Sequence, residues 1–155
     1  MRASWETVYT MDDWYDGPRG GVADFGGAPH YYRSVYLDSP KWNPDEDRFE
    51  LTPLPRDAFE AAVELQAIWD RWHEAHRAGN APEDPDDGHV LPADRLRRDE
   101  LERELAAGRA ANASRAMLVH GEFELGCKRV RWRPVAATSR AEQGDPADAD
   151  RDVSP

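Results

Sequence analysis

Near both ends of the chain apolar residues alternate with polar ones, and between these regions they recur at helical spacing. TVYTM (7–11) and HYYRSVYLD (30–38), rich in Thr, Val and Tyr, predict strands, with a shorter one at VADF (22–25). Phe25-Gly26-Gly27-Ala28 predicts a two-residue hairpin, because Gly-Gly supplies the positive φ angles of a primed turn without steric cost. A polar loop over 38–48 leads to a brief strand at FELTPL (49–54).

Over 57–78 the period changes. Ala58, Ala61, Ala62, Leu65, Ile68, Trp69, Trp72, Ala75 and His76 fall within a sector of about 140° at 100° per residue, the signature of an amphipathic helix. Asp57 suits the positive N-terminal end of the helix dipole and Gly79 is a stop. A Pro/Asp/Glu loop over 80–92 precedes a second helix at 93–107, whose thin stripe of Leu96, Leu101 and Leu105 places it on the surface and whose end is set by Gly108. In AMLVHGEFEL, Met117, Val119, Phe123 and Leu125 alternate with Leu118, His120, Glu122 and Glu124. After a loop at Gly126-Cys127-Lys128, RVRWRPV (129–135) alternates again, with Val130 and Trp132 opposite Arg129, Arg131 and Arg133.

The order of elements predicts an α+β domain over 1–135. A mostly antiparallel sheet carries a long amphipathic helix and a shorter one inserted between its N-terminal and C-terminal β portions. From Ala136 onward small and acidic residues dominate, which predicts a disordered acidic tail over 136–155.

Composition narrows the function classes. The chain has 155 residues, 31 acidic against 20 basic, and a net charge of −11. That field repels phosphate, disfavouring nucleic acid and anionic membrane surfaces and favouring solubility or a basic partner. One cysteine, Cys127, allows no internal disulfide. The N-terminal MRASWETVYT lacks the apolar run of a signal peptide, and no segment is long and apolar enough to span a bilayer, so a soluble cytoplasmic protein is expected.

Candidate chemistry concentrates in WYDGPRGGVADFGGAPHYY (14–32). Asp16, Gly17 and Pro18 have the chemistry of a tight turn, and Gly20-Gly21 permits a bulge or a close backbone approach. Pairing across Gly26-Gly27 sets residue 25 opposite 28, 24 opposite 29 and 23 opposite 30. Asp24 and His30 then point to opposite faces and cannot form a catalytic pair. Asp24 is expected to pair with Arg19 instead. As a ligand site the loop would take a carboxylate or phosphate through Arg19 and the Gly20 and Gly21 N–H groups.

Tyr31 and Tyr32 are adjacent, so alternation predicts that one is exposed, as it does Trp42 in its polar loop. Exposed aromatics beside arginine are common at protein interfaces. The ladder Arg129/Arg131/Arg133 could bind an anion or RNA, but pairing with Glu122 and Glu124 across the hairpin is favoured. Lys128 and Arg129 could lower the pKa of Cys127, but no histidine–aspartate partner accompanies it and an incidental exposed thiol is expected. His73 and His76, three residues apart on the helix, lack the companions a zinc site demands, and no metal or cofactor is expected.

The 14–32 string resembles a pattern, roughly YYDGPRxGxADxxGxPHxY, of a family of uncharacterised small bacterial proteins. The likeness extends weakly through the acidic loop, the FxLxP segment and the Trp-containing helix, over residues 7–125. It implies a bacterial soluble domain and brings no activity with it.

The expected function is a non-enzymatic protein-interaction module of accessory, regulatory or immunity/inhibitor-like type. Its binding residues would be Trp14, Tyr15, Asp16, Arg19, Asp24, His30 and Trp42, and a second copy of the chain is an admissible partner. The alternative is a small enzyme or anion binder using Asp16, Arg19, Asp24 and His30. A weaker alternative is RNA or anion binding on the arginine ladder.

Overall fold

In a computed structural model the described residues are 3–35, 48–81 and 88–135. Trp42, most of the 38–48 loop and the expected tail over 136–155 lie outside them. The strands are β1 (Glu6–Thr7), β2 (Asp13–Trp14), β3 (Pro18–Phe25), β4 (Ala28–Ser34), β5 (Arg48–Pro53), β6 (Met117–Phe123) and β7 (Arg129–Pro134). The helices α1 (Arg56–Arg77) and α2 (Arg95–Ala111) lie between β5 and β6, which makes the domain α+β.

All pairings are antiparallel, in the order β1-β7-β6-β5-β4-β3-β2. Both edges of this sheet come from one N-terminal segment, where the alternation predicts a single strand over 7–11. Glu6 and Thr7 pair with β7, and the Val8 amide donates to the Lys128 carbonyl. From Val8 onward the segment turns to β3: Val8 bridges Ala23, Tyr9 and Thr10 N–H groups donate to the Val22 carbonyl, and Asp12 N–H to that of Gly20. The segment thus changes partner at Val8 and curls the sheet closed, which removes the exposed edges that invite association.

Closure needs one close approach. Gly21 has φ +151°, and a Cβ there would collide with the Thr10 carbonyl oxygen. The Thr10 hydroxyl accepts from the Val22 N–H at 2.9 Å, the Tyr32 hydroxyl donates to the Thr10 carbonyl at 2.9 Å, and the Trp132 indole N–H donates to the Asp24 carbonyl at 2.8 Å.

The two tyrosines depart from the alternation rule, since Tyr31 is 7% exposed and Tyr32 0%. The sheet is covered on both faces. Tyr32 packs inside the curl with Phe49, Leu51, Val119, Val130 and Trp132, its ring centroid 6.0 Å from those of Phe49 and Trp132. Tyr31 packs outside, under the helices, with Val22, Leu54, Ala58, Ala62 and Leu105. Burying a side chain of this size contributes about 1.5–3 kcal/mol, so both faces hold the fold.

Of its apolar sector α1 buries Ala58, Ala61, Ala62 and Ile68, while Trp69, 43% exposed, and His76 lie in the open. It ends in a Schellman motif, with Asn80 N–H on the Ala75 carbonyl and Gly79 N–H on that of His76. α2 buries Leu101 and Leu105 but leaves Leu96 exposed, and it runs three residues past Gly108. Gly108 is not a stop. It is where α2 crosses α1, and a Cβ there would overlap the Ala58 methyl.

Candidate functional site

The 14–32 stretch forms β2, a tight turn and the β3–β4 hairpin. β2 pairs Asp13 with Gly20 and Trp14 with Pro18, with a register shift between them. Tyr15 N–H donates to the Gly17 carbonyl, and Asp16 takes φ +53°, a left-handed position that aspartate tolerates. Arg19 shares parity with Gly21 and Ala23, so its side chain points into the curl, and it is only 4% exposed. Its Nε donates to the Tyr15 carbonyl at 2.7 Å and a terminal nitrogen to the Asp16 carbonyl at 3.3 Å. Arg19 therefore braces the turn from inside. The turn in consequence presents Trp14 and Tyr15 outward, 60% and 62% exposed.

The β6–β7 turn faces this one across the mouth of the curl. Glu124 N–H donates to the Arg129 carbonyl and Cys127 N–H to the Glu124 carbonyl, and Leu125 at the tip is fully exposed. The alternation places Leu125 on the core face of a strand; the strand instead ends at Phe123. The two turns frame a depression of about 590 Å³, with Met11, Trp14 and Leu125 on its rim and Phe49 and Phe123 below. Cys127 also lines it, partly buried rather than exposed, and burial raises its thiol pKa, against the lowering that Lys128 and Arg129 could supply.

The hairpin register is the one expected: Phe25 opposes Ala28, Asp24 opposes Pro29 and Ala23 opposes His30. His30 is buried with its ring edge-on to Phe25 at 5.4 Å, and its Nδ1 lies 2.8 Å from the Ala28 carbonyl, which makes Nδ1 the protonated nitrogen. Asp24, on the other face, accepts from the Tyr9 hydroxyl at 2.9 Å. The expected Arg19–Asp24 ion pair does not form, because the two side chains leave opposite faces of β3 and Arg19 is spent on the turn carbonyls.

Two rungs of the arginine ladder are neutralised as expected. Arg131 pairs with Glu122 and Arg129 with Glu124, each at 2.6 Å, and both guanidinium groups also lie over the Trp5 ring. The helix histidines stack on tryptophan, His73 on Trp69 at 4.8 Å and His76 on Trp72 at 4.8 Å. Among the described residues no group of three or more His, Cys, Asp or Glu could hold a metal ion, and no helix is long and apolar enough to cross a membrane.

No family model, curated protein or solved structure matches the chain. The site therefore rests on its own geometry.

That geometry separates the seven binding candidates. Trp14, Tyr15 and Asp16 share one exposed turn; Arg19 and His30 are buried; Asp24 lies on another face; and Trp42 is outside the described residues. Leu125 joins Trp14 at the mouth although more than a hundred residues separate them, and nothing local in the sequence marks that meeting. The same holds for a cleft on the helical side, where Asp12, Tyr31 and Arg109 come together.

Proposed function

We propose that this protein is a non-enzymatic interaction module of the bacterial cytoplasm, accessory, regulatory or inhibitor-like, which docks a partner protein at the mouth of its curled sheet. The observation that carries this reading is the joint exposure of Trp14, Tyr15 and Leu125 on two turns that frame one depression. Aromatic side chains of this kind dominate binding energy at interfaces. Asp13 and Asp16 flank the patch, exposed and without an ion pair among the described residues, and the whole chain carries −11. The partner surface that fits is an apolar knob rimmed by Lys or Arg.

The enzyme alternative on the 16–30 loops has less support. Its four residues do not converge: Arg19 is braced inside, and Asp24 and His30 sit on opposite faces.

The test compares host proteins captured by the wild type and by a Trp14→Ala/Tyr15→Ala double variant. A partner retained by the wild type and lost by the variant, then rebound as a purified protein with affinity falling at least about tenfold on mutation and weakening in salt, is the expected result. Identical capture by both proteins would sink the reading. The variant itself should fold normally, within about 0.5 kcal/mol of wild type, because both rings are largely in solvent.

A further inference from the structure

On the helical side of the sheet, sharing Met11 with the rim of the mouth, residues 10–12 of the N-terminal segment, α1 and α2 bound a cleft of about 430 Å³. Ala62, Leu65, Ile68 and Leu105 give it an apolar floor, and Trp69 stands on one wall. Arg109 stands on another. Its guanidinium carbon lies 3.7 Å from the centroid of the Tyr31 ring, and the Tyr31 hydroxyl donates to the Asp12 carboxylate at 2.9 and 3.1 Å. The buried ring is thus held at its far end by Asp12 and serves as a platform for the cation.

Arg109 differs in this from other arginines of the helices. Arg71 bonds Asp94 and Arg97 bonds Glu64 and Glu100. Arg109 makes no hydrogen bond or ion pair within 4 Å among the described residues; its charge acts on the Asp12 carboxylate only at longer range, and the residue is half-buried at a cavity. A planar guanidinium fixed by stacking, with its N–H donors unused beside an apolar floor, has the form that takes a carboxylate through two parallel hydrogen bonds. A cavity of this volume is in the range of small-molecule sites.

We propose that this cleft binds a small monocarboxylate with an apolar body, the carboxylate on Arg109 and the body along Leu65, Leu105 and Trp69. Asp12 and Glu102 line the same cleft, and the other cation of its lining, Arg98, is paired with Asp99 at 3.1 Å, so a second anionic group would meet acidic neighbours without a second open cation. The cleft shares Met11 with the rim of the docking surface but opens on the helical side, and carboxylate binding there stands or falls independently of docking.

The test is calorimetric titration of the full chain with four probes: 3-phenylpropanoate, the neutral 3-phenylpropan-1-ol, the cationic 3-phenylpropan-1-amine and the dianion phenylsuccinate. The monocarboxylate is expected to bind at least about tenfold more tightly than the other three, and Arg109→Gln to erase that preference. Ala106→Trp, at an exposed position of α2 lining the cleft, should weaken binding by filling space without touching the charge, and it decides the matter if Arg109→Gln fails to fold. Equal affinity for acid and alcohol, tighter binding of the amine or the dianion, no binding of the monocarboxylate at millimolar concentration, or unchanged affinity in Ala106→Trp would each overturn the proposal.

Discussion

Cys127 occupies the β6–β7 turn at φ +57°, beside Lys128 and Arg129 in sequence. Sequence proximity to two cations suggests a reactive thiolate, but the Arg129 guanidinium is turned to Glu124 at 2.6 Å, and partial burial of the sulfur raises its pKa. A raised thiol pKa means a smaller thiolate fraction at neutral pH, and the thiolate is the nucleophile. Native Cys127 should therefore react with iodoacetamide at pH 7.5 more slowly than a free cysteine of pKa about 8.5, and unfolding in urea should restore the free rate. Native labelling as fast as the free thiol would contradict the burial argument. Arg19 and Arg109 show the same dependence on surroundings. Both are arginines near turn or cap chemistry, yet one is consumed by backbone carbonyls and the other rests on a tyrosine face. The Tyr15 and Asp16 carbonyls are only four and three residues from Arg19 but are reached because β3 turns that face into the curl, whereas Tyr31 comes to Arg109 from a distant part of the chain.

The helices were legible as elements and less so at their crossing. A 100° period with Ala and Leu on one face locates α1, and the Gly79 stop follows from the left-handed φ that a Schellman end requires. Gly108 carries the same letter and the opposite meaning. In an isolated helix Gly→Ala gains up to about 1 kcal/mol. Here the added methyl would overlap Ala58 and lie 3.2 Å from Pro55 Cγ, both on the neighbouring helix or its cap. Gly108→Ala should therefore lower stability by about 1–3 kcal/mol, the usual cost of overpacking, as read from the urea midpoint. A stabilised variant would show that α2 can slide over α1. The ion pairs that also link this region, Arg71–Asp94 and Arg97–Glu64, have three of their four side chains about half exposed and contribute little beside this packing.

At the scale of the molecule the decisive event is closure. Thr10 is the residue on which the N-terminal segment is locked to β3 and β4, through a hydroxyl that accepts from the Val22 N–H of β3 and a carbonyl that accepts from the Tyr32 hydroxyl of β4. Thr10→Val keeps the shape and removes that acceptor, leaving a buried N–H unpaired. It should cost about 1–3 kcal/mol, with faster hydrogen exchange at the Val22 amide. Unchanged stability and exchange would mean that closure does not depend on this bond. The sequence by itself determined the α+β class, the strand and helix periods, the Gly26-Gly27 hairpin and its register, the separation of Asp24 from His30, and the Arg–Glu rungs of the last hairpin. These depend on residues within a few positions of one another or directly across a short turn, where period and turn chemistry suffice. Only the tertiary structure decided the rest: that the first segment joins both sheet edges, that Tyr31 and Tyr32 are both buried, that Arg19 turns inward, and that Trp14 meets Leu125 while Arg109 meets Tyr31. Each of those outcomes depends on which surfaces cover which, and alternation along one strand specifies two faces without saying whether water or another layer lies against either.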